Sequence, residues 1–438
     1  MKPYYQTIIL CCAGWLSVSG IWAQERLPLS LVQCREMALS HSEEIQQADN
    51  RIHQAELDNQ IASIAYLPQI DGTATGAYML PDMDMMGMKL RMRGTYMAGI
   101  SLTQPIYTGG KITTGKRLAK IGSEAARERQ RMAHMDVIME ADKAYWTYIA
   151  VIRKVKMLKS FLTQMDTLQQ QVSTACHAGM ATENDLLRVK AERSNVQYQL
   201  QKAKSGTDLC RMSICRIIGV EFDTPIVPTD TLIIQTVPMP LNSDISLRPE
   251  VTLLKKQMEA DKQSIRMAKT DIRPAVGLTA GYTYYGNFKL EGTPTGENGT
   301  LQPFSQEYRD GIWIAMLSVK VPIFHWGETR KKVRKAQYQL KNSELELQRN
   351  TRLFQIEVQQ AIRNIQDGQR LIQTAESGLR QAKENLRVTQ NHYTASMATL
   401  SDLLNAQSQW QQAENNLIEA QTQSKIYETE YLRVTGKL

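Results

Sequence analysis

The residues with the most distinctive chemistry are six methionines in the short segment from Met79 to Met92. Methionine thioethers bind Cu(I), so such a segment could belong to a copper-transporting protein. The segment contains no His or Cys, however, and Cu(I) is not favoured in an oxidising exterior. The pattern therefore favours a flexible apolar loop that packs on its neighbours, and a metal role for residues 79–97 is left open as the alternative.

The other residue types that often carry chemistry are isolated in the sequence. The histidines show neither an HExxH motif nor a paired spacing that would suit a metal or a general base. They are His41, His53, His134, His177, His325 and His392. The stretch Gly109–Lys111 lacks the rest of a phosphate-binding loop and is better explained as a hinge between a strand and a helix. We therefore expect no catalytic residue, no resident metal and no cofactor.

The first 23 residues have the features of a secretory signal peptide. Lys2 supplies the positive charge, residues 8–18 the apolar stretch, and residues 20–23 a cleavage site before Gln24. The mature chain is therefore expected to be exported and, because Gln24 is not a cysteine, to carry no N-terminal lipid. In an exported chain the basic side chains within residues 330–335 predict a solvated helix face, not a nucleic-acid site.

Four cysteines follow the signal peptide, and they are scattered through helical patterns. They are Cys34, Cys176, Cys210 and Cys215. The spacing of the last two suits neither a disulfide within a helix nor a CxxC metal site. The sequence therefore predicts free, buried or unused thiols.

Two segments before residue 110 alternate between apolar and polar residues, which is the period of a β-strand with two different faces. In the first segment one face carries Ile70, Gly72, Ala74, Gly76, Tyr78 and Leu80, and the other carries Asp71, Thr73, Thr75 and Ala77. The second segment alternates in the same way from Thr95 to Thr103. One face suits lipid and the other suits water. No run of about 18 apolar residues follows the signal peptide, so a transmembrane helix is excluded and a membrane barrel is not.

Long helical patterns flank these strand segments. They run from Ser30 to Tyr66, from Ile112 to Cys176, and from Thr182 to Ile218, where Gly219 ends the last one. At 1.5 Å per residue the longest spans roughly 97 Å and each shorter one roughly 55 Å, so two shorter helices placed end to end match the long one. Coiled-coil packing is predicted by residues recurring every three or four positions, namely Leu403, Gln407, Trp410, Ala413, Leu417, Ala420, Ser424, Tyr427, Tyr431 and Val434.

Each strand region passes into a long helix through a proline followed by a glycine. The two junctions are Gln104–Lys111 and Val321–Glu328. Proline has no N–H to donate, so we expect it to end the strand ladder, and glycine allows the backbone to turn before the helix.

The chain contains an internal repeat. Pro274 follows Pro68 by 206 residues, and Gly436 follows Gly219 by 217 residues, with the inserted residues between Tyr285 and Gly311. Agreement without gaps through helices, with one insertion in a loop, is expected for a duplicated unit. We predict a signal peptide at 1–23, a first repeat of helix, β-hairpin, long helix and return helix at 24–220, a Pro-rich linker at 221–245, and a second repeat at 246–438.

Four strands per chain cannot close a barrel, and an open sheet edge inside a bilayer would leave backbone groups unpaired. The chain must therefore form an oligomer of two or more copies. At this point the sequence resembles the TolC-type outer-membrane factor family over nearly all of its mature length. The resemblance rests on the duplicated hairpin units, on the motifs Gln104–Tyr107 and Val321–Phe324, and on the turn and helix from Tyr393 to Gln407.

The resemblance implies an α+β membrane protein with an internal two-fold repeat. Four strands per chain would contribute to a shared transmembrane β-barrel of a homotrimer in the outer membrane. Long coiled-coil helices would form an α-helical barrel that reaches into the periplasm. The implied partners are a periplasmic adaptor protein, an inner-membrane transporter and outer-membrane lipid, with no nucleic acid.

The resemblance also implies a gate at the periplasmic end. In that family, acidic side chains after the second turn line a constriction. Asp402 matches the first acidic position, whereas Asn405 and Ala398 replace an Asp and an Arg. The gate candidates are therefore Asp402, Asn405, Tyr393 and Asp185, and three Asp402 carboxylates would favour cations. The alternative is that Asp402 caps or solvates its helix, as its repeat partner Asp185 would.

Aromatic residues accompany the predicted strands. They are Tyr78, Tyr96, Tyr282, Tyr284 and Trp313. A ligand-binding box is one explanation, and an aromatic girdle at the membrane interface is the simpler one.

The predicted function is that of an outer-membrane exit duct in a tripartite efflux or secretion system, which passively conducts small molecules and has no enzymatic activity. Two alternatives remain open at this stage. One is the outer-membrane component of type I protein secretion, and the other is a structural coiled-coil protein of the envelope.

Overall fold

The computed structural model describes residues 26–85, 88–230, 241–292 and 303–438. The predicted signal peptide and residues 231–240 of the predicted linker lie outside these ranges. The helices are α1 (Leu31–His41), α2 (Glu43–Ile64), α3 (Lys111–His177), α4 (Glu183–Ile218), α5 (Pro249–Thr270), α6 (Glu328–Thr394) and α7 (Leu400–Val434). The strands are β1 (Leu27–Leu29), β2 (Gln69–Tyr78), β3 (Met83–Met85), β4 (Met88–Arg91), β5 (Arg93–Tyr107), β6 (Ile226–Pro228), β7 (Ala275–Gly292) and β8 (Phe304–Lys320).

These residues form two compact units. The first, called here the turn unit, contains residues 26–41, 140–230 and 372–422. The second, called the sheet unit, contains the rest of the described chain, including all of β2–β5, β7 and β8.

The turn unit contains a short parallel strand pair that the sequence does not predict. β1 pairs with β6, with Leu27 opposite Ile226. The Tyr145 hydroxyl lies 2.9 Å from the Leu29 carbonyl oxygen and 2.7 Å from the Asp230 carboxylate. Asp230 also accepts a 2.9 Å hydrogen bond from Leu31 N, which helps α1 to begin there. Three-residue strands are too short to show a period in sequence, so this pair escaped prediction.

The prediction of one continuous helix from Ser30 to Tyr66 is wrong, because the helix is interrupted at Ser42, between α1 and α2. Ser42 has an extended backbone and its hydroxyl accepts a hydrogen bond from Ile45 N. Serine side chains compete with the helical backbone for hydrogen bonds, so a serine inside a helical pattern can begin a new helix.

The other long helices agree closely with the sequence. α3 and α4 occupy the predicted ranges to within one residue, and Gly219 ends α4 with a left-handed backbone. A Cβ at Gly219 would lie 2.6 Å from the Cβ of His41, so no larger residue fits without a shift. Among the helices that the structure describes, none combines the length and the apolar character needed to cross a membrane.

The free thiols predicted from sequence are present. Cys34 and Cys215 are buried, and Cys176 and Cys210 are half-buried. Burial, together with the nearby Asp142 carboxylate, raises the pKa of Cys34 to about 12. The Cys34 thiol is therefore unreactive at neutral pH.

The sheet unit is built on four long antiparallel strands, as predicted, in the order β2, β5, β7 and β8. The pairing places the predicted apolar residues of β2 on one face, with Ile70 opposite Leu102, and its polar residues on the other, with Asp71 opposite Ser101. Within the described chain, β2 pairs only with β5 and β8 pairs only with β7.

The methionine segment, which we expect to be a flexible apolar loop, contains two short strands that the sequence does not predict. β3 and β4 form a hairpin in which Met83 lies opposite Leu90, and β4 pairs in turn with β7. The partner of β4 is about 200 residues away in sequence, in the segment Lys289–Gly292. Local sequence patterns cannot reveal such a pairing.

The expectation that Pro105 ends its strand is also wrong. β5 continues to Tyr107, and Pro105 still lies opposite Gly277 in the ladder. The register shifts between Pro105 and Tyr107, and such an irregularity accommodates the missing N–H. In the second junction β8 ends at Lys320, before Pro322, as predicted. Positive φ angles at Gly109, Gly110 and Gly327 make the turns into the helices.

The residues of the predicted coiled-coil pattern in α7 are buried only in part. Among its members, Leu403, Gln407, Ser424, Tyr431 and Val434 are buried.

In the sheet unit, the first helix within the range predicted for the second repeat is α5, which begins at Pro249, after the buried Arg248. The Arg248 guanidinium donates to Glu357 at 2.7 Å and to Glu250 at 3.1 Å, and it lies 4.0 Å from the ring of Phe354.

Candidate functional site

The two turns that join the long helices have the same backbone geometry. In the first, Met180 N donates to Ala175 O at 2.8 Å, and Gly179 has a φ of 72°. In the second, Met397 N donates to His392 O at 2.8 Å, and Ser396 has a φ of 62°. Both are helix C-terminal motifs closed by one left-handed residue.

The helix that follows each turn begins with the same hydrogen-bonded box. Asp402 accepts hydrogen bonds from Thr399 N at 3.0 Å and from the Thr399 hydroxyl at 2.6 Å. Asp185 accepts from Thr182 N at 3.2 Å and from its hydroxyl at 2.7 Å. The structure therefore places both acidic gate candidates as helix caps, which was the alternative for Asp402.

Capping leaves the Asp402 carboxylate in contact with solvent. The side-chain and backbone hydrogen bonds from Thr399 hold the pKa of Asp402 below its usual range. Asn405 lies one turn further along α7 and is also exposed. At neutral pH the arrangement presents one charged and one neutral polar side chain on the exposed side of α7.

Tyr393 belongs to an apolar cluster beneath the two turns. The buried part of the cluster comes from α3, α4 and α7, namely Phe161, Met165, Leu168, Val172, Val189, Val196, Leu400 and Leu403. Tyr393 and Trp410 pack against its edge. Burial, and to a smaller extent the charge of Asp185, raise the pKa of the Tyr393 phenol. Tyr393 therefore contributes a neutral packed ring that holds the end of α6 to the cluster.

The turn unit also contains a half-buried groove whose wall includes the charged residues Arg153 and Glu414. The sequence analysis did not predict this groove. Burial raises the pKa of Glu414, and the positive charge of Lys383 partly opposes that rise. On the groove wall, the Arg153 guanidinium donates to Gln421 Oε1 at 2.8 Å. The groove could have been recognised from Glu414, a charged residue about one helical turn from Trp410 and Leu417, which both belong to the predicted coiled-coil pattern.

The aromatic candidates in the sheet unit come together in pairs. The rings of Tyr282 and Trp313 lie 5.0 Å apart, and those of Tyr96 and Tyr284 lie 6.3 Å apart. Trp313 is 80% exposed, and Tyr78, at the end of β2, is 69% exposed. The structure thus groups four of the five candidates and leaves Tyr78 apart from them.

Two of these tyrosines cover glycines on neighbouring strands. A Cβ at Gly311 would lie 1.9 Å from the Tyr282 hydroxyl, and one at Gly286 would lie 2.5 Å from the Tyr96 ring. The missing side chains provide the space in which these rings lie across the strands. The glycines therefore fix where the aromatic rings are presented.

The order of these elements and the paired turns can be compared with known proteins. The model of the outer membrane efflux protein family matches residues 34–219 and 242–437. The chain belongs to the outer membrane efflux protein family. This result confirms the resemblance read from the sequence. The chain is therefore an outer-membrane transport protein with helices extending into the periplasm, and it is not an enzyme.

Relatives within the outer membrane efflux protein family are distant in sequence. The outer membrane efflux protein BepC of Brucella suis is 21% identical over 384 residues, covering 86% of this chain and 79% of that protein. The alkaline protease secretion protein AprF of Pseudomonas aeruginosa is 22% identical over 340 residues, covering 74% of this chain and 66% of that protein.

Solved structures agree with the family fold. The structure of CusC, described as a transmembrane channel, matches with a TM-score of 0.78 at 15% identity and covers 99% of both chains. At this identity the match bears on the fold alone. Its coverage shows that the same fold extends over nearly the whole chain.

Proposed function

We propose that three copies of this chain form one exit duct, in which twelve strands close a β-barrel in the outer membrane and the long helices form a tunnel in the periplasm. The observation that carries the proposal is that β2 and β8 each have one edge with no partner among the described residues. In a bilayer, unpaired backbone groups on such edges cost several kcal/mol each. Pairing β2 of one copy with β8 of the next removes both edges.

The two faces of the sheet support the same assembly. One face carries Ile70, Ile100 and Leu102, and the opposite face carries Asp71, Thr73 and Ser101. Closing the sheet with the apolar face outward places it against lipid and leaves a polar inner wall. The aromatic pairs Tyr96–Tyr284 and Tyr282–Trp313, together with Tyr78, would then contact the membrane interface.

The duct would passively conduct small molecules that a periplasmic adaptor and an inner-membrane transporter deliver to it. Family membership supports efflux, as does the similarity to BepC, which is named an efflux protein. The similarity to AprF, named a protease secretion protein, favours type I protein secretion as a second candidate. The two candidates can be distinguished by cross-linking the protein to its partners and identifying the inner-membrane protein that co-purifies with it.

The turn unit would supply the gate. Asp402 is exposed and charged at the start of α7, so three copies would form a ring of carboxylates that favours cations. Asn405 would extend this ring without charge, while Tyr393 and Asp185 would hold the neighbouring turn in place.

We also propose that the chain is one structural unit used twice, with repeats at 24–220 and 246–438 and a linker at 221–245. The matching turns, the matching capping boxes and the two segments matched by the family model support this organisation.

The experiment that tests the duct is the mass of the protein purified in mild detergent, measured by light scattering with the detergent contribution subtracted. A particle of three chains that conducts ions in a planar bilayer is expected. A monomer in aqueous buffer without detergent would contradict the proposal.

A further inference from the structure

The sheet unit contains an open cavity of about 480 Å³ near the β3–β4 hairpin. Its wall is mostly apolar and includes Ala77, Met92, Met97, Tyr285, Phe288 and Tyr308. The lining also includes Leu90 of β4, so it comes from five strands, because β4 joins the sheet beside β7 just where β5 leaves it. The hairpin that the sequence did not predict therefore builds one side of the cavity.

The strand register shows which face of the sheet the cavity occupies. Met97 lies opposite Tyr285, and Phe288 lies opposite Tyr308 beyond the register shift in β7. Tyr96, the neighbour of Met97, points to the other face, where its ring meets Tyr284. The cavity is therefore on the face opposite the aromatic pairs.

On β2, β5 and β7 the rest of that face is polar or small. Asp71 and Ser101 pair there, as do Thr103 and Thr279. In the proposed duct this is the inner wall, which contacts water. Covering a concave apolar surface with an apolar solute lowers the free energy, because apolar area is removed from water.

The few polar groups of the wall leave little to bind a charged ligand. Thr95 is 4% exposed, and its hydroxyl already donates to Asn287 O at 3.2 Å. The Tyr308 hydroxyl lies 3.1 Å from Gln306 Oε1. The wall therefore offers mainly rings, methyl groups and thioethers, with hydroxyl groups at its margin.

We propose that this cavity is a binding site for small amphiphilic molecules with an aromatic ring, which the duct passes to the exterior. The inference rests on the proposed duct. The volume of the cavity falls within the range of roughly 300–1,000 Å³ that is usual for the binding pockets of drug-sized ligands. Phe288 and Tyr308 meet edge to face, with ring centroids 6.4 Å apart, and offer surfaces on which another ring can stack.

The two methionines in the wall suit a site that takes many ligands. Met92 and Met97 have flexible, polarisable side chains that adapt to ligands of different shape. A conducting path needs sites that bind weakly enough for the ligand to leave. The site would thus retain a solute briefly near the exit and favour apolar compounds over ions of similar size.

The test uses the full-length protein in lipid nanodiscs, with the neutral aromatic dye N-phenyl-1-naphthylamine as the probe. Equilibrium dialysis measures bound dye, and binding to empty nanodiscs is subtracted. We expect saturable binding to the wild type. Ala77→Trp places an indole in the cavity and should weaken binding at least tenfold. Ala74→Trp is the matched control, because Ala74 lies on the same strand and pairs with Ala98 on the opposite face.

Three results would overturn the inference: no saturable binding to the wild type, unchanged binding to Ala77→Trp, or equal loss in Ala74→Trp. If Ala77→Trp fails to assemble, Phe288→Ala provides the test, and its dye binding should weaken several-fold. Particle mass and bilayer conductance are measured on the same samples. Dye binding that fails while mass and conductance persist rejects only the cavity, whereas loss of the trimer or of conductance in the wild type rejects the duct.

Discussion

Gly179 and Ser396 occupy matching positions in the two helix turns, 217 residues apart, and both have a left-handed backbone with φ near 72° and 62°. Glycine adopts this conformation without steric cost, whereas a residue with a Cβ pays roughly 1–2 kcal/mol. The second turn therefore stores strain that the first avoids, although both are closed by the same hydrogen bond to the residue five positions earlier.

Replacing the strained residue should stabilise the second turn. We expect Ser396→Gly to raise the free energy of unfolding by about 0.5–1 kcal/mol, since the gain in backbone freedom of the unfolded chain offsets part of the relief. Thermal unfolding followed by circular dichroism measures the change. Gly179→Ser should be destabilising by a similar amount, and Ser408→Gly, inside α7, should be destabilising as well. A lower unfolding temperature for Ser396→Gly would contradict the assignment of strain.

The capping role of Asp402 and its proposed role in the pore can be tested separately. Asp402→Asn keeps a side-chain oxygen that accepts from Thr399 and removes the charge. We therefore expect folding to be retained and the cation preference of the pore to fall, as measured by reversal potentials in planar bilayers. Asp185→Asn, the same change in the matching box, should leave selectivity unaltered. Unchanged cation preference in Asp402→Asn would leave Asp402 with the capping role alone.

Glu414 should give the turn unit a pH-dependent stability. Burial raises its folded-state pKa, so the folded protein holds this proton more tightly than the unfolded chain does. The stabilisation linked to Glu414 is present below the unfolded pKa, about 4.3, and is lost as pH rises through the folded pKa. Glu414→Gln, which resembles the protonated form, should therefore unfold at a higher temperature than the wild type at pH 7 and at the same temperature at pH 4.

The control for this prediction is Glu419→Gln on the exposed side of the same helix. It should leave the difference between pH 4 and pH 7 as it is in the wild type. A Glu414→Gln variant that is less stable than the wild type at pH 7 would show that the carboxylate is favourably paired in the assembled protein.

The buried Arg248 should be among the most sensitive positions of the sheet unit. Arg248→Ala removes contacts with Glu250, Glu357 and the Phe354 ring, and leaves the Glu250 carboxylate mostly buried without its nearest cation. We expect a loss of about 3 kcal/mol in the free energy of unfolding. Arg387→Ala is the matched control, because its pair with Glu384 is exposed, and it should change the unfolding temperature little. If the two variants lost the same amount of stability, the burial of Arg248 would make no difference to the stability of the sheet unit.

The sequence by itself determined the features that depend on local period and local backbone chemistry. The alternation around Ile70 and Asp71 predicted strands with two faces, and the helical period with Gly219 predicted both the length and the end of α4. The repeat, the export signal and the family resemblance followed from order and spacing along the chain. These signals survive in sequence because each residue's contribution is set mainly by its near neighbours.

Only the tertiary structure decided the features that depend on distant partners. β4 is a strand because it pairs with β7, and Pro105 stays in its ladder because the register shifts beside it. An apolar cavity formed on the face that carries Asp71 and Ser101, where β4 replaces β5 as the partner of β7. In each case the outcome is set by hydrogen bonds and packing between groups whose proximity no local pattern records.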